Sequence, residues 1–140
     1  MGCNMSDVSI DHIGIASKSI ETASVFWELL GFKQSVEHVN DEQGVRIKML
    51  EGTGSSAKIE LIEPLGENTP VGRFISKRGE GIQQLAIKVN DIEATIAQLI
   101  ASGVRMIDEQ PVRGASGSII AFVHPSSTGG VLVELVEYNN

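Results

Sequence analysis

Four polar residues occupy matching positions in two similar stretches of the chain, and all four have side chains that can bind a metal ion. His12 and Glu60 fall in the first stretch, and Gln84 and Glu134 fall in the second. One imidazole, two carboxylates and one amide oxygen make a hard, mostly oxygen donor set, suited to Zn²⁺, Ni²⁺, Co²⁺, Mn²⁺ or Mg²⁺ with positions open for substrate or water. The sequence therefore predicts one divalent metal ion, of unspecified identity, held by these four side chains.

The two stretches share a strand, a helix that ends at glycine, and a closing strand. The matched segments are residues 12–15, 19–31 and 59–63 in the first half and 84–87, 91–103 and 133–137 in the second. Self-similarity at a nearly constant offset indicates a duplicated supersecondary unit. Few paired residues in the helices are identical, so chance similarity between two ordinary βα units is the alternative.

Hydrophobic periodicity and turn residues predict the order βαβββ in each half. The expected elements are strands 8–16, 33–40, 44–51 and 58–63 with helix 19–30, and strands 81–89, 105–107, 118–124 and 131–138 with helix 91–102. We expect modules 8–65 and 81–138, joined by a connector helix over 69–79, within one domain over 8–140. We also expect a disordered leader over residues 1–7. The predicted fold is α+β, with the tandem modules forming a curved mixed sheet around a central cavity.

Strand alternation separates the four candidate residues from an apolar face. Each has apolar neighbours on the opposite side of its strand, such as Ile13 and Ile15 beside His12. Two amphipathic helices are the natural partners of that apolar face. Their expected apolar positions are Ile20, Ala23, Trp27 and Leu30 in the first helix and Ile92, Ile96, Leu99 and Ile100 in the second. The four polar residues must then line the other face.

A simpler interpretation applies to each residue separately. His12 could be a hydrogen-bonded strand histidine, while Glu60 and Glu134 could be the exposed members of half-solvated strands. The in-phase position in both halves favours a shared site, because one incidental cause would have to act four times. His38 and His124 lack this support, and we expect them to be structural or surface residues.

Composition limits the possible partners and compartment. Eighteen acidic residues against eleven basic ones give a net charge of −7, and the basic residues are scattered, which argues against a nucleic-acid partner. The sequence has no apolar run of membrane-spanning length and no leader of the secretory kind, so we expect a cytoplasmic protein with no membrane partner. The single cysteine, Cys3, fits a reducing compartment. Residues 1–6 fit a loose myristoylation pattern, but no basic segment follows them.

Several segments resemble the vicinal oxygen chelate superfamily, which includes glyoxalase I and the bleomycin resistance proteins. They are Asp11-His12-Ile13-Gly14-Ile15-Ala16, the run from Lys58 to Leu65, and Gly130-Val131-Leu132-Val133-Glu134-Leu135. Within the superfamily the chain is most similar to the methylmalonyl-CoA epimerase family, with further similarity at 42–45, 70–81, 113–117 and 122–125. The resemblance spans residues 11–138. It implies a homodimer and an acyl-CoA substrate.

The ligand pattern of that family falls on the same four residues, with two departures. Epimerases of this kind usually carry a His-His pair where this chain has Gln83-Gln84, so an amide stands in place of an imidazole ligand. Some of them also use a glutamate of the third strand as a second base, and this chain has Ile47 there. Alternation predicts that Lys48 faces the cavity, whereas the resemblance implies that Ile47 does.

The resemblance implies a metal-dependent epimerase or racemase of a 2-carboxyacyl-CoA, of the methylmalonyl-CoA type, acting through a metal-stabilised enolate. Glu134 is the first candidate for the catalytic base, and Glu60 is the other. Two alternatives remain open. One is a glyoxalase I-type lactoylglutathione lyase, and the other is a metal-free protein that binds a small molecule, like the resistance proteins.

Overall fold

The computed structural model describes residues 7–54 and 57–139. The predicted leader, with Cys3 and the acylation pattern, lies outside the described residues except for Asp7. Tertiary contacts divide the described residues into two compact units, one within residues 12–83 and the other formed by residues 84–139 together with residues 7–11. No helix in the described part of the chain is long and apolar enough to cross a membrane.

The first module, most of which belongs to the first unit, contains a mixed four-stranded sheet and is followed by a second helix. In chain order the elements are β1 (Ser9–Ala16), α1 (Ile20–Leu30), β2 (Lys33–Asn40), β3 (Val45–Glu51), β4 (Lys58–Pro64) and α2 (Pro70–Arg78). The strand order is β2-β3-β4-β1, in which β1 and β4 are parallel and the other neighbours are antiparallel.

Helix α1 lies on one face of this sheet. The Ser19 side chain accepts a hydrogen bond from the backbone N–H of Thr22 at 3.2 Å, and Gly31, with a φ of +112°, ends the helix in a conformation that suits glycine. The helix and sheet residues that pack together are Ile20, Ala23, Trp27, Phe32, Ile13, Ile15, Leu50, Ile59 and Leu61. The expectation that Leu30 belongs to this core is wrong, because Leu30 is 63% exposed at the last turn of the helix.

Helix α2 packs on the opposite side of the same sheet. The Thr69 hydroxyl accepts a hydrogen bond from the backbone N–H of Gly72 at 3.0 Å, and Pro70 occupies the first turn. The buried cluster beneath this helix contains Val71, Phe74 and Ile75 from the helix and Ala16, Val45, Ile47 and Ile62 from the sheet. Helix α2 therefore covers part of the face opposite α1.

The second module, most of which belongs to the second unit, repeats the order β1 to β4 of the first. They are β5 (Gly81–Lys88), α3 (Ile92–Ala101), β6 (Val112–Arg113), β7 (Ile119–Val123) and β8 (Val133–Glu137), and the strand order is β5-β8-β7-β6. Strands β5 and β8 are parallel, and the remaining pairs are antiparallel. Helix α3 begins at Asp91, whose carboxylate accepts a hydrogen bond from Ala94 N–H at 3.0 Å. Ile100 is 41% exposed, so its predicted core position is wrong.

The predicted strand at 105–107 is also wrong. This segment forms only one isolated bridge, between Met106 and Val123, and the short strand of the module is β6 instead. The physical reason is Asp108, whose carboxylate accepts the backbone N–H of Phe122 at 2.8 Å. A side chain thus takes a donor that a continued strand ladder would have used.

The two units repeat one further contact at the start of the helix after the first strand. Glu63 Oε1 accepts the N–H of Ile20 at 2.9 Å, and Glu137 Oε1 accepts the N–H of Ile92 at 2.8 Å. The glutamate comes from the last strand of the module in both cases. This repetition supports the predicted duplication and confirms an α+β fold of two tandem βαβββ modules, each with a mixed sheet.

Candidate functional site

His12 and Glu60 lie together in the first unit. They come from the adjacent parallel strands β1 and β4, and His12 Nε2 is 3.5 Å from Glu60 Oε1. Both residues are 5% exposed. They are on the face of the sheet away from α1, because their alternate neighbours Ile13 and Ile59 pack against that helix. The structure therefore brings the two sequence-predicted ligands of this half into one buried pair.

Gln84 and Glu134 form the equivalent pair in the second unit. They come from the parallel strands β5 and β8, and Gln84 Nε2 donates a hydrogen bond to Glu134 Oε1 at 3.1 Å. Gln84 is 8% exposed and Glu134 is 7% exposed. In the sheet register Glu134 lies between Ala86 and Phe122, so its carboxylate is flanked by apolar side chains.

The burial of the two glutamates decides between the interpretations left open by the sequence. The exposed member of a half-solvated strand would be accessible to water, whereas Glu60 and Glu134 are almost fully enclosed. Burying a carboxylate is unfavourable unless partners compensate for the lost hydration. The interpretation of these residues as ordinary surface positions is therefore wrong. Each module bears the unfavourable free energy of burying one carboxylate.

The donor set fits a divalent metal ion. Zn²⁺, Ni²⁺, Co²⁺ and Mn²⁺ bind imidazole nitrogen and carboxylate oxygen, and Mg²⁺ binds carboxylate and amide oxygens. Gln84 now directs its N–H toward Glu134, but half a rotation of the terminal amide would present its oxygen instead. Among the described residues, no three His, Cys, Asp or Glu side chains form a metal-binding cluster by themselves. The four-residue site is therefore a prediction.

The register of β3 settles which side chain of that strand shares the face with Glu60. Ile47 pairs with Ile62, and Met49 pairs with Glu60, so these β3 side chains lie on the face of the predicted ligands. Lys48 lies on the α1 side, where its Nζ is 3.1 Å from Glu28 Oε2. The alternation-based prediction that Lys48 faces the site is wrong. Ile47 lies on the face that the resemblance implies, and it packs there against α2. The phase was ambiguous because β3 carries both apolar and basic residues.

His38 is a residue whose position was not foreseen. It pairs with Ile47 across the β2–β3 hairpin, and so it shares the face of Glu60 and is half-buried there. A signal was present in the sequence, since a tight turn between Asn40 and Val45 fixes this pairing. His124, in contrast, has a local structural role, because its Nδ1 accepts the backbone N–H of Ser126 at 3.0 Å.

A second unforeseen contact joins Tyr138 to the residue before His12. The Tyr138 hydroxyl donates a hydrogen bond to Asp11 Oδ2 at 2.6 Å, and Asp11 is 8% exposed. The Tyr138 ring packs with Ala86, Ile120, Phe122 and Val136. The contact therefore fixes the backbone immediately preceding His12.

A charged cluster lies outside the candidate site. Arg46 Nη2 is 3.5 Å from Glu21 and 3.3 Å from Glu37, and its Nη1 is 3.6 Å from Glu63. A backbone hydrogen bond and the Arg46 charge lower the pKa of Glu21, while Glu63 and Glu21 raise the pKa of Arg46. These groups link α1 to the sheet.

Comparison with known proteins identifies the family. The model of the Glyoxalase/Bleomycin resistance protein/Dioxygenase superfamily matches residues 11–122. The match covers most of the chain, and the chain belongs to this superfamily. The resemblance predicted from the sequence motifs is thus confirmed.

Comparison with individual proteins gives relatives that are more specific than the superfamily. The chain is 40% identical over 129 residues to the uncharacterized protein YqjC of Bacillus subtilis (strain 168), with 91% of each chain covered. It is 38% identical over 133 residues to the mitochondrial methylmalonyl-CoA epimerase of Dictyostelium discoideum, covering 91% of this chain and 77% of that protein. Its fold matches a methylmalonyl-CoA epimerase solved in complex with methylmalonyl-CoA and NH4+, with a TM-score of 0.87, 38% identity and 94% of each chain covered.

Proposed function

We propose that this protein is an isomerase that inverts the α-carbon of a 2-carboxyacyl-CoA of the methylmalonyl-CoA type. The observation that carries the proposal is the enclosure of one glutamate in each module beside a second ligand-type side chain. The relatives named as methylmalonyl-CoA epimerases support the choice of reaction and of an acyl-CoA substrate.

His12, Glu60, Gln84 and Glu134 are the proposed ligands of one divalent metal ion. When bound, the ion would supply Lewis-acid stabilisation of the negative charge that develops on the thioester oxygen. The candidate ions are Co²⁺, Ni²⁺, Zn²⁺, Mn²⁺ and Mg²⁺. A neutral amide oxygen is a weaker donor than imidazole toward borderline metals, so Gln84 favours the harder members of this series.

Glu134 is the proposed base for the α-proton. Gln84 donates a hydrogen bond to one of its carboxylate oxygens and so restrains the orientation of the carboxylate. The apolar neighbours Ala86 and Phe122 restrict access of water to it. A positioned carboxylate can then accept a proton from a carbon acid held beside it. Glu60 is the other candidate for this role.

Two cations on α2 are the proposed contacts of the CoA phosphates. Arg73 and Lys77 are both exposed and are four residues apart, so they lie on one side of the helix. Two adjacent cations can create a local positive field on an acidic protein. Lys48 is less suited to this role because it is paired with Glu28.

A homodimer and a cytoplasmic location are also proposed. Their support is the family resemblance for the dimer and the composition of the chain for the compartment. Light scattering of the purified protein tests the first, and fractionation of the producing cells tests the second.

A metal-free binding protein is the second candidate function. The Gln84–Glu134 hydrogen bond favours it, because the amide already gives the buried carboxylate a partner without any metal ion. This candidate predicts a saturating small-molecule ligand whose affinity does not change when a chelator is added. No contact among the described residues favours the glyoxalase-type reaction.

The deciding experiment measures metal content and deuterium incorporation together. Wild-type protein, His12→Ala and Gln84→Ala are purified without chelator, and each is incubated with methylmalonyl-CoA in D₂O. The proposal predicts one equivalent of metal in the wild type, loss of metal in His12→Ala, reduced retention in Gln84→Ala, and deuterium at the α-carbon with metal-loaded wild type. A wild type that stays empty after incubation with all five metals, or that incorporates no deuterium when loaded, would reject it.

A further inference from the structure

The residue before His12 is held by a side chain from the other end of the chain. The Tyr138 hydroxyl donates a hydrogen bond of 2.6 Å to Asp11 Oδ2, a length typical of strong hydrogen bonds to carboxylates. Asp11 is only 8% exposed, so its carboxylate depends on protein partners in place of water. Both residues belong to the compact unit formed by residues 7–11 and 84–139. This enclosed contact lies one residue away from a proposed metal ligand.

The Tyr138 end of this contact is fixed by interactions of the aromatic ring. The ring packs on the buried residues Ala86, Ile120 and Val136. Lys88 Nζ lies over the ring, 5.9 Å from its centroid, in the geometry of a cation–π interaction. None of these contacts uses the hydroxyl group. Removal of the hydroxyl alone therefore leaves the ring in place and breaks only the hydrogen bond to Asp11.

His12 lies where the described ladder between β1 and β4 begins. Its partner there is Lys58, and the other described pairs of this ladder lie further along β1. On that side, His12 therefore has neighbouring ladder pairs in one direction only. Successive side chains of a strand point to opposite sides, so a rotation of the strand that displaces Asp11 also displaces the His12 imidazole. Holding Asp11 thus fixes the direction in which His12 presents Nε2 to Glu60, which is 3.5 Å away.

A second contact of the same segment lies further from His12. Asn90 Nδ2 donates a hydrogen bond of 3.3 Å to Asp7 Oδ2. Both of these residues are exposed, and water can replace an exposed hydrogen bond at little cost in free energy. The Asp7–Asn90 contact therefore attaches the start of the segment without the enclosure that holds Asp11. It offers a matched comparison within the same unit.

We propose that Tyr138 is a positioning residue for His12. The inference rests on the proposed function, in which His12 is a metal ligand. Tyr138 acts through Asp11 and not by contact with the ion or the substrate. Its hydroxyl holds the Asp11 carboxylate, and the strand so restrained directs the imidazole toward Glu60. Residues that orient a metal ligand commonly contribute about tenfold to 100-fold in metal affinity.

The test removes the Tyr138 hydroxyl and follows His12 directly. Tyr138→Phe keeps the ring and its contacts with Val136 and Lys88. In metal-free protein, ¹H–¹⁵N spectra of the imidazole groups report on the three histidines of the chain, and His12→Ala assigns the signals of His12. We expect these signals to move in Tyr138→Phe, while those of the other two histidines stay in place. Affinity for Co²⁺ or Zn²⁺, measured by competition with a chromogenic chelator, should fall by about tenfold or more.

Three further variants separate positioning from a general structural role. Asp11→Asn keeps an oxygen that can accept the Tyr138 hydrogen bond, and we expect wild-type His12 signals and wild-type metal affinity. Asp11→Ala removes the acceptor instead of the donor. It should reproduce the effects of Tyr138→Phe, and it serves if that variant does not fold. Asp7→Ala breaks the more distant contact and should leave both readouts unchanged.

The outcomes that contradict the proposal are distinct from a failure of the proposed function. Unchanged His12 signals and unchanged affinity in folded Tyr138→Phe would overturn it, even if urea unfolding shows a loss of stability. Equal effects in Asp7→Ala would also overturn it, because any loosening of the segment would then be sufficient. So would an effect in Asp11→Asn as large as that in Tyr138→Phe. A wild type that binds no metal rejects the proposed function, and the imidazole spectra of the metal-free variants then still decide whether Tyr138 positions His12.

Discussion

Glu63 Oε1 accepts a hydrogen bond of 2.9 Å from the backbone N–H of Ile20, and this contact ties the last strand of the first module to the first turn of α1. The same relationship holds between Glu137 and Ile92 in the second module. A carboxylate at a helix N-terminus satisfies a backbone donor and interacts favourably with the helix dipole. Each closing strand therefore has two functions, since it carries a buried glutamate on one side and a helix cap three residues later.

Loss of this cap should destabilise the first module. Glu63→Gln weakens a charge-assisted hydrogen bond at the start of α1, and we expect a loss of about 1–2 kcal/mol in the free energy of unfolding. Urea unfolding followed by far-UV circular dichroism measures the change. Glu42→Gln, at an exposed position in the β2–β3 turn, is the matched control. Equal stability of the two variants would contradict the capping role.

Glu134→Gln should remove the proposed base while preserving the shape of the side chain. We expect the rate of α-proton exchange to fall by at least about 100-fold for the epimer that this residue serves. Deuterium incorporation followed by mass spectrometry gives that rate, and a thermal unfolding curve verifies the fold. Near-normal exchange in a folded Glu134→Gln protein would transfer the role to Glu60.

Gln84→His should strengthen metal binding. It replaces a neutral amide with an imidazole, the better ligand for borderline metals, and we expect tighter binding of Co²⁺ or Zn²⁺ by about tenfold, or ~1.4 kcal/mol. Competition with a chromogenic chelator measures the affinity. Gln83→His, one residue away on the other side of β5, is the control. Similar affinities for wild type and Gln84→His would show that position 84 does not ligate the metal.

Arg46→Met should destabilise the protein more at neutral pH than at acid pH. The folded-state pKa of Glu21 is below its ordinary value of 4.5, first through a backbone hydrogen bond and then through Arg46. A lowered pKa contributes stability that is present above the unfolded-state value and is lost as the pH falls through the folded-state value. The stability difference between wild type and Arg46→Met should therefore shrink below about pH 4.5. A difference that grows with acidification would contradict this account.

Arg73→Ala with Lys77→Ala should weaken substrate binding without changing the chemical step. If α2 contacts the CoA phosphates, we expect KM for methylmalonyl-CoA to rise by about tenfold and kcat to stay nearly constant. Salt dependence gives a second readout, because the wild-type KM should increase with ionic strength and that of the double variant should not. Lys33→Ala is the control cation. An unchanged KM would place phosphate recognition elsewhere.

Most of the architecture was predictable because the hydrophobic periodicity and the helix-capping residues indicate the same helices and strands. Ser19 and Asp91 mark the helix starts, Gly31 marks a helix end, and the strands on either side alternate regularly. Leu30 was misplaced although its spacing fits the core face of α1. Trp27 of that face packs edge-on against Phe32, which follows the helix end at Gly31, and Leu30 is left 63% exposed. The strand predicted at 105–107 failed because the Asp108 side chain competes with the backbone for a ladder donor.

The candidate site was predictable only in part. Matched positions in a duplicated chain identified His12 and Gln84 and their glutamate partners, and the structure places each pair together. The face occupied by His38 depends on the pairing that the turn between Asn40 and Val45 sets for the β2–β3 hairpin, and alternation along one strand does not supply that pairing. Tyr138 and Asp11 are separated by most of the chain, so no local sequence pattern predicts their hydrogen bond.

The pairing of donors within each module has an evolutionary consequence. Two identical half-length copies of an ancestral module would have offered the same residue at the first-strand position twice. In this single chain the two first-strand positions differ, since one holds an imidazole and the other an amide, while both closing strands carry a carboxylate. A substitution in this chain can thus change the donor of one module alone. In a symmetric assembly of identical subunits the same substitution would change both positions.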